Sequence, residues 1–374
     1  MKELVAFDAL HAGSHAAWSR GFAEAVGQRG WNVRLVSLPG RHWKWRMQGA
    51  AWWFAEHVLR EGWAAPDALL VTDMVDVARL RGCLPASWRA VPIGVYFHEN
   101  QLTFPWKVDE RAHQQTGYAF INVLSAWAAD AVWFNSAHHR DAFLGALPEW
   151  LQRMPDAVPP GAVERIAERA VVIPPGLDLP DVPERALQRR LNTPPILVWN
   201  HRWAYDKQPE FFIQTLDRLR QRQIPFHLDL MGTGDRAADG PLQALVRSGQ
   251  CSVLNAEPAQ NRAAYWERLM QADVLIHNPL QEYFGISVVE ALHAGVLPLL
   301  PDRHAYPEYA GDFQSVRTPE QAAGAMSALV NAPHEAVAQW RAQAHRAAAQ
   351  FQWMRMGRIY TEALDALVKG PTLR

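Results

Sequence analysis

The order of apolar and polar positions predicts two successive series of strands and helices. Short apolar runs alternate with segments in which apolar residues recur at helical spacing, which is typical of βα units that build parallel sheets. The predicted strands span residues 4–7, 33–37, 68–72, 93–97, 131–135 and 171–174, and then 196–199, 227–231, 274–277 and 296–300. The fold class is therefore α/β, with two doubly wound, Rossmann-like domains and an interdomain cleft at the carboxyl ends of the strands.

A proline-rich segment separates the two series. Pro174, Pro175, Pro180 and Pro183 interrupt any helix or central strand, so they predict a linker. We expect an N-terminal domain at residues 1–176, a linker at 177–190, a C-terminal domain at 191–352 and a C-terminal helix at 353–374 that packs back on the N-terminal domain.

Composition narrows the classes of protein that fit. The chain has 374 residues, enough for two domains, since one core rarely grows beyond about 250–300 residues. Its formal net charge is −1, so a polyanionic partner must be bound by a local patch. Cys83 and Cys251 show no metal-ligand spacing, which argues against a disulfide framework and favours a reducing cytoplasm. No apolar run is long enough for a membrane span.

The most specific local pattern runs from Glu282 to Glu290. Gly285 permits a tight turn after Phe284, and Ile286 starts an apolar-periodic helix whose free N–H groups would face an anion. Glu290, about one turn inside that helix, can accept hydrogen bonds from a ribose diol, and Glu282 can hold a sugar hydroxyl. The alternative is that both are solvated carboxylates.

Two further loops of the second series hold candidate ligand groups. Arg202 and Lys207 follow the strand at 196–199, where a guanidinium fork and a point charge suit a diphosphate. Gly232 lies in a Gly-x-Gly turn that lacks the third glycine of a dinucleotide fingerprint. Surface charges and an ordinary turn are the alternatives.

The first series also ends two of its strands in polar residues. These are Gly13, Ser14 and His15 after the first strand, and His98, Glu99 and Asn100 after the fourth. Gly13 allows close approach of a ligand, whereas His98 could instead be a buried capping histidine. His11 and His15 straddle the glycine turn with no third ligand nearby, so we expect no metal there.

Residues 41–46 interleave cations with aromatics. Arg41, Trp43, Lys44 and Arg46 could pair with phosphates and stack on bases. The same segment could equally start an amphipathic helix whose tryptophans pack inward.

These segments together resemble the retaining glycosyltransferases of family GT4, and within it the tRNA-queuosine α-mannosyltransferases. The resemblance is carried by residues 12–15, 38–46, 97–102, 134–136, 199–203 with 206–207, the Glu-x7-Glu pair at 282 and 290, and 306–308. Two segments depart from the family pattern: 277–281, where small hydroxyl residues are expected, and 255–257, where a glycine-containing turn is expected.

The resemblance implies a GT-B fold, with the acceptor bound by the N-terminal domain and the nucleotide sugar by the C-terminal domain. It implies a catalytic set of His98, Arg202, Lys207 and Glu282. It implies a donor site of Gly13, Arg202, Lys207, Gly232, Phe284, Gly285, Ile286 and Glu290. It also implies an acceptor or tRNA site of Ser14, His15, Arg41, Trp43, Lys44, Arg46, Glu99, Asn100 and Asn135.

The implied reaction transfers mannose from GDP-mannose to the queuosine of a tRNA, in the cytoplasm. We expect no metal and no cofactor, because Arg202, Lys207 and the helix start at Gly285 can stabilise the leaving diphosphate. No nucleophilic carboxylate is evident in the first domain, which favours front-face substitution over a covalent intermediate. Two alternatives remain open: a transferase of the same fold with a lipid, glycan or metabolite acceptor, and a non-catalytic protein that binds sugar nucleotides or RNA.

Overall fold

Two parallel sheets organise the chain, and each lies in its own structural unit. The computed structural model describes residues 1–106, 114–234, 247, 251–311, 313 and 315–370. The first unit consists of Met1–Asp178 with Phe351–Arg374, and the second of Leu179–Gln350. Within the described ranges, no helix has both the length and the apolar character needed to cross a membrane.

The first unit contains six parallel strands in the order β2-β1-β3-β4-β5-β6. Their bounds are β1 Lys2–His11, β2 Trp31–Pro39, β3 Ala68–Thr72, β4 Ile93–Phe97, β5 Ala131–Phe134 and β6 Ala170–Val172. Its helices are Gly13–Gly27, Trp43–Glu61, Val77–Cys83, Gln114–Ala128, Ala137–Gln152, Ala162–Ala167 and Trp353–Lys369, with a 3-10 turn at Ala86–Trp88. All six strands predicted for this half of the sequence are present.

Strand β1 is buried on both faces. Val5 and Phe7 belong to one core cluster, whereas Leu4 and Ala6 belong to another. Because successive side chains of a strand point to opposite faces, both faces of this sheet must be covered. This is the burial expected of a doubly wound sheet.

The last helix, Trp353–Lys369, packs in the first unit. Trp18 Nε1 donates a hydrogen bond to the Tyr360 hydroxyl at 2.9 Å, and that hydroxyl donates to the carbonyl of Pro174 at 3.1 Å. Trp353 lies against Gly21 and Gly176, where an added Cβ would approach the indole to 2.2 Å. The absence of side chains at both glycines therefore lets this helix dock.

The second unit contains five parallel strands in the order β11-β10-β7-β8-β9. Their bounds are β7 Ile196–Trp199, β8 Phe226–Leu230, β9 Cys251–Asn255, β10 Val274–Ile276 and β11 Leu297–Leu299. Its helices are Glu184–Gln188, Pro209–Gln221, Arg262–Gln271, Ile286–His293, Pro307–Ala310, Pro319–Val330 and His334–Ala349, with a 3-10 turn at Tyr205–Lys207. Strand β9 is not predicted by the sequence, because it lies at the sheet edge and its partly exposed residues form no apolar run.

A buried charge cluster fixes the start of β10. The carboxylate of Asp273 is fully buried and accepts hydrogen bonds from Arg341 Nη2 at 2.6 Å, Arg189 Nη1 at 2.5 Å and the Ile196 N–H at 2.8 Å. Burial, together with the charge of Arg189, lowers the pKa of Arg341 to about 10, although Asp273 opposes the shift. The cluster joins β7, β10 and the helix His334–Ala349.

Replacing Asp273 by alanine should destabilise the second unit. Removing one partner of a buried ion pair leaves Arg341 charged and unpaired, which costs about 3–5 kcal/mol. Urea-induced unfolding should show a lower midpoint for Asp273→Ala. The matched control is Asp302→Ala, whose partner Arg317 is exposed, and it should unfold like the wild type. Equal midpoints for the two variants would contradict the role of the cluster.

Candidate functional site

Lys207 and Glu282 form a buried ion pair at the carboxyl edge of the second sheet. Lys207 follows β7 and Glu282 follows β10, and these strands are neighbours in the sheet. Lys207 Nζ donates a hydrogen bond to Glu282 Oε2 at 2.7 Å, and the two side chains are only 13% and 14% exposed. The Leu280 N–H donates to the Asp206 carbonyl at 2.8 Å and joins the same two loops. The structure thus brings together two residues of the predicted catalytic set.

The charges of this pair stabilise each other. Burial alone would raise the pKa of Glu282, but the charge of Lys207 and the adjacent His277 hold that pKa well below its usual range. Burial alone would lower the pKa of Lys207, but Glu282 and Asp206 raise it. Asp206 Oδ2 lies 3.4 Å from Lys207 Nζ. Lys207 is therefore a permanent cation whose position is fixed by two carboxylates.

Two histidines stack beside the ion pair. The ring centroids of His201 and His277 are 3.5 Å apart, with an interplanar angle of 14°. Burial lowers the pKa of His277 to about 4 and, with the proximity of His277, lowers that of His201 well below its ordinary value. His201 Nδ1 is hydrogen-bonded to Ser287 Oγ at 2.7 Å, and His277 Nε2 lies 3.9 Å from Glu282 Oε2. Both rings are neutral at physiological pH and can bind polar groups without adding charge.

Gly285 makes the turn between Glu282 and the next helix. Its φ is +89°, and an added Cβ would lie 2.8 Å from the Tyr309 hydroxyl and 3.3 Å from Glu282 Cγ. Tyr309 donates a hydrogen bond to the carbonyl of the buried Phe284 at 2.6 Å, which fixes the turn from the other side. The helix then begins at the half-buried Ile286, with the positive end of its dipole at this edge of the sheet.

Glu290 lies in a separate cluster one turn into the helix Ile286–His293. Arg262 Nη2 donates to Glu290 Oε1 at 2.6 Å, and the Tyr265 hydroxyl donates to Oε2 at 2.6 Å. Asn200 Nδ2 donates to the Tyr265 hydroxyl at 3.1 Å and to the Ser287 carbonyl at 2.8 Å. Because each carboxylate oxygen can accept two hydrogen bonds, Glu290 keeps acceptor capacity for a diol. The two glutamates of the motif thus have different partners.

Arg202 and Gly232, two further residues of the predicted donor site, lie outside the buried ion pair and the Glu290 cluster. The Arg202 side chain is 68% exposed, and its Nη2 lies 4.0 Å from Asp206 Oδ2, at the limit of an ion pair. An added Cβ at Gly232 would lie 2.0 Å from the His201 carbonyl and 2.7 Å from the Trp199 ring. Gly232 is therefore required for the loops after β7 and β8 to pack, whether or not it also contacts a ligand.

In the first unit, His98 lies in an aromatic box at the carboxyl end of β4. Its ring centroid is 4.3 Å from that of His15, 4.7 Å from Trp18 and 4.8 Å from Tyr96. Burial, and next the neighbouring His15, lower the pKa of His98 well below its ordinary value, so the ring is neutral. His98 Nε2 has no hydrogen-bond partner among the described residues. The structure thus brings His15 and His98 together.

Asn135 holds the loop that carries His98. Its Nδ2 donates to the His98 carbonyl at 2.8 Å, and its Oδ1 is hydrogen-bonded to His139 Nδ1 at 2.8 Å. Asn100 Oδ1 accepts the N–H three residues further on at 2.8 Å, and Glu99 Oε1 accepts a side-chain amide at 3.1 Å. Asn135 and Asn100 therefore shape this loop whether or not they touch an acceptor.

The turns after β1 and β2 lie against each other. An added Cβ at Gly40 would lie 2.1 Å from the Cβ of Ala12, so only glycine allows this approach. Gly13, with φ +51°, starts the helix after β1, and Ser14 is exposed in its first turn. The turns that lead into the predicted residues 13–15 and 41–46 thus meet at one edge of the first sheet.

Side chains of residues 41–46 divide between the core and the surface. Trp43 packs inward, with its ring centroid 5.7 Å from that of Trp106, and belongs to the margin of the core. Lys44 Nζ lies 5.7 Å from the Trp43 ring centroid, and Arg46 Nη2 donates to a main-chain carbonyl of β2 at 3.4 Å. Arg41 is exposed. The alternative hypothesis, in which the tryptophans of this segment pack into the core, therefore applies to Trp43 but not to the cations beside it.

Several polar residues at the carboxyl edges of the two sheets are not among the site residues predicted from the sequence. Arg262 and Tyr265 lie three apart on one helix, a spacing that shares a face, but the sequence does not show that this face meets Glu290. His201 lies within a recognised motif, yet only the fold shows that its ring stacks on that of His277.

The sequence also gives no sign of Asp73, which is buried beneath His98 and accepts a hydrogen bond from the His98 N–H at 3.1 Å. Burial, and next the charge of Glu99, raise the pKa of Asp73 well above its usual value.

Comparison with known proteins shows what each half of the chain is similar to. Residues 3–177 match the family described as tRNA-queuosine alpha-mannosyltransferase N-terminal, and residues 184–347 match the family described as Glycosyl transferases group 1. The tRNA-queuosine alpha-mannosyltransferase of Drosophila melanogaster is 28% identical over 322 residues, which cover 82% of this chain and 81% of the fly protein. By these matches the first half of the chain is similar to the tRNA-queuosine alpha-mannosyltransferases and its second half to the glycosyltransferases. The resemblance noted from sequence motifs is confirmed.

Solved structures confirm the GT-B fold of this glycosyltransferase. The trehalose 6-phosphate synthase of Burkholderia multivorans matches with a TM-score of 0.69 at 13% identity, covering 98% of this chain and 99% of the other. The sucrose-phosphate synthase of Thermosynechococcus elongatus matches with a TM-score of 0.64 at 15% identity, covering 97% and 98%. At such low identity the likeness concerns the fold alone.

The depressed pKa of His277 predicts a pH-dependent stability of the second unit. Between its unfolded pKa near 6.5 and its folded pKa of about 4, the unfolded chain binds a proton that the folded chain rejects, so stability falls as pH falls through this window. From pH 7 to pH 5 this contribution is about 2 kcal/mol. Urea unfolding of wild type and His277→Asn at both pH values should show a smaller pH effect in the variant. Identical pH effects would mean that His277 is not held neutral.

Proposed function

We propose that this glycosyltransferase transfers mannose from GDP-mannose to the queuosine of a tRNA, with retention of anomeric configuration. The observation that carries the proposal is the match of residues 3–177 to the tRNA-queuosine alpha-mannosyltransferase N-terminal family, which the similarity to the fly enzyme supports. The match of residues 184–347 to glycosyltransferases supports the second unit as the one that binds the sugar nucleotide.

The residues around Lys207 suit the departure of a nucleoside diphosphate. The bond between the anomeric carbon and the diphosphate breaks, and negative charge develops on the leaving oxygen. Lys207 and the helix that starts after Gly285 supply positive electrostatic potential at one edge of the sheet. Arg202, largely exposed, is available to add a second cation. Glu282 would hold a sugar hydroxyl, and Glu290 would accept hydrogen bonds from the ribose.

Retention follows if the acceptor oxygen attacks from the face that the diphosphate leaves. In this front-face substitution a new bond forms between the anomeric carbon and the acceptor oxygen, and the leaving phosphate takes the acceptor's proton. His98, which we place at the reacting sugar, contributes a neutral polar group.

We propose that the reaction needs no metal, because the cations of the chain neutralise the diphosphate. Free Cys83 and Cys251 suit the reducing cytoplasm, which we propose as its compartment.

Incubation with a panel of nucleotide sugars and queuosine-containing tRNA tests the proposed activity. We expect nucleoside mass spectrometry to detect a hexose on queuosine with GDP-mannose, and none with tRNA that lacks queuosine. Adding EDTA should leave the rate unchanged. Transfer of the sugar to a lipid or glycan instead of tRNA would overturn the proposed acceptor. If no donor is consumed, the proposal that the protein is an enzyme is overturned. Loss of activity in EDTA would overturn the metal-free mechanism.

Replacing Lys207 should slow the chemical step. By analogy with the loss of one oxyanion-stabilising group, Lys207→Ala should lower kcat about 10²–10³-fold. A matched control is Arg220→Ala, a partly exposed cation of the same unit that pairs with Asp217 of its own helix, and it should retain the wild-type rate. Because Lys207 is buried, circular dichroism must show that the variant is folded. A folded Lys207→Ala enzyme with unchanged kcat would contradict the role of this cation.

A further inference from the structure

The helix Trp43–Glu61 of the first unit exposes several tryptophans. Trp45, Trp52 and Trp53 are 58%, 60% and 40% exposed. Trp45 and Trp52 are seven residues apart, which places them on one face of the helix, and Leu59, seven residues further on, is 52% exposed. Single exposed apolar residues are ordinary, whereas several large ones on one face of a helix indicate an interaction surface.

Trp45 is held against its own helix. An added Cβ at Gly49 would lie 2.7 Å from Cζ2 of Trp45, so the indole rests on the backbone where Gly49 has no side chain. Despite this contact, more than half of the Trp45 side chain remains exposed. A ring that is already fixed before binding loses little conformational entropy when another flat ring stacks on it.

Cations surround the N-terminal half of this helix. Arg41, Lys44 and Arg46 lie in or just before the first turn, and Arg79, which also pairs with Asp76 at 3.7 Å, donates a hydrogen bond at 2.6 Å to a carbonyl of the second turn. The N-terminus of the helix adds positive potential. The sequence of the helix contains no acidic residue before Glu56. The exposed tryptophans thus begin inside a positively charged region.

The charge pattern favours RNA over an apolar partner. Glu56 is exposed one turn after Trp52, on the same face. A membrane or a second copy of this surface would have to bury that carboxylate among apolar groups, which costs free energy unless it is paired. A single-stranded nucleic acid offers aromatic bases to the tryptophans and phosphates to the arginines, and it leaves Glu56 in water.

We propose that the surface formed by Trp45, Trp52, Arg41 and Arg79 binds unpaired nucleotides of the tRNA substrate, with bases stacked on the two indoles. Seven residues at 1.5 Å each separate the tryptophans by about 10 Å along the helix axis, so each ring stacks on a different base. The inference rests on the proposed function, since it requires an RNA substrate. It assigns base stacking to the exposed Trp45 and Trp52, and not to Trp43, which packs inward.

Fluorescence anisotropy of end-labelled tRNA tests this surface. We expect Trp45→Ala and Trp52→Ala to weaken binding by the full-length enzyme, each about 5-fold to 100-fold. Phenylalanine at either position should retain most of the affinity, whereas leucine, which is apolar but cannot stack, should behave like alanine. Arg41→Gln and Arg79→Gln should each flatten the salt dependence of binding by about one unit of log–log slope.

Controls separate this inference from the proposed function. Met354→Ala removes a large apolar side chain that is 77% exposed on another helix of the same unit, and it should bind tRNA like the wild type. If wild type glycosylates queuosine-containing tRNA while both tryptophan variants keep full affinity, the surface is wrong and the function stands. If wild type neither binds nor modifies tRNA, both fail. Loss of self-association or of binding to anionic vesicles, with tRNA affinity intact, would assign the surface to another partner.

Discussion

The buried ion pair of Lys207 and Glu282 fixes the carboxyl edge of the second sheet. Taking two charges out of water is costly, and their attraction compensates only when the geometry is good and further polar groups assist. Here Nζ and Oε2 are 2.7 Å apart, Asp206 Oδ2 lies 3.4 Å from the same Nζ, and His277 Nε2 lies 3.9 Å from the carboxylate. The pair also joins the loops that follow β7 and β10. The ion pair is thereby part of the structure that holds these two loops together.

Other contacts extend this constraint to the helix that starts after Gly285. Ser287, in the first turn of that helix, bonds through its hydroxyl to His201 and through its carbonyl to Asn200. Asn200 in turn donates to Tyr265, whose hydroxyl donates to Glu290. The loop after β7 therefore holds the helix start, and through it the orientation of the cluster around Glu290. The start of the helix and the cluster around Glu290 are thus positioned by one connected set of hydrogen bonds.

The fold was largely predictable because buried parallel strands appear as apolar runs in the sequence. Which side chains contact each other across neighbouring strands was not predictable. Strand β9 escaped prediction since an edge strand needs no such run. Motif spacing located the loops of Glu282 and Lys207, but the distance that joins them depends on strand order, which the sequence does not state. The stack of His201 on His277 depends on the same order. The alternation of cations and aromatics at the start of the helix Trp43–Glu61 does not predict which tryptophan is buried. In the structure Trp43 packs inward, whereas Trp45 is exposed.

Burial keeps histidines neutral in both units, and this suits glycosyl transfer. As the bond to a diphosphate breaks, positive charge develops on the sugar while negative charge develops on the leaving group. An imidazolium close to the sugar would oppose the first change, whereas a neutral imidazole offers a hydrogen-bonding group without that repulsion. Burial lowers the pKa of His98 in one unit and of His201 and His277 in the other. Lys207, by contrast, stays charged because Glu282 and Asp206 raise its pKa, so this edge of the second sheet combines a fixed cation with histidine rings that supply polarity without charge.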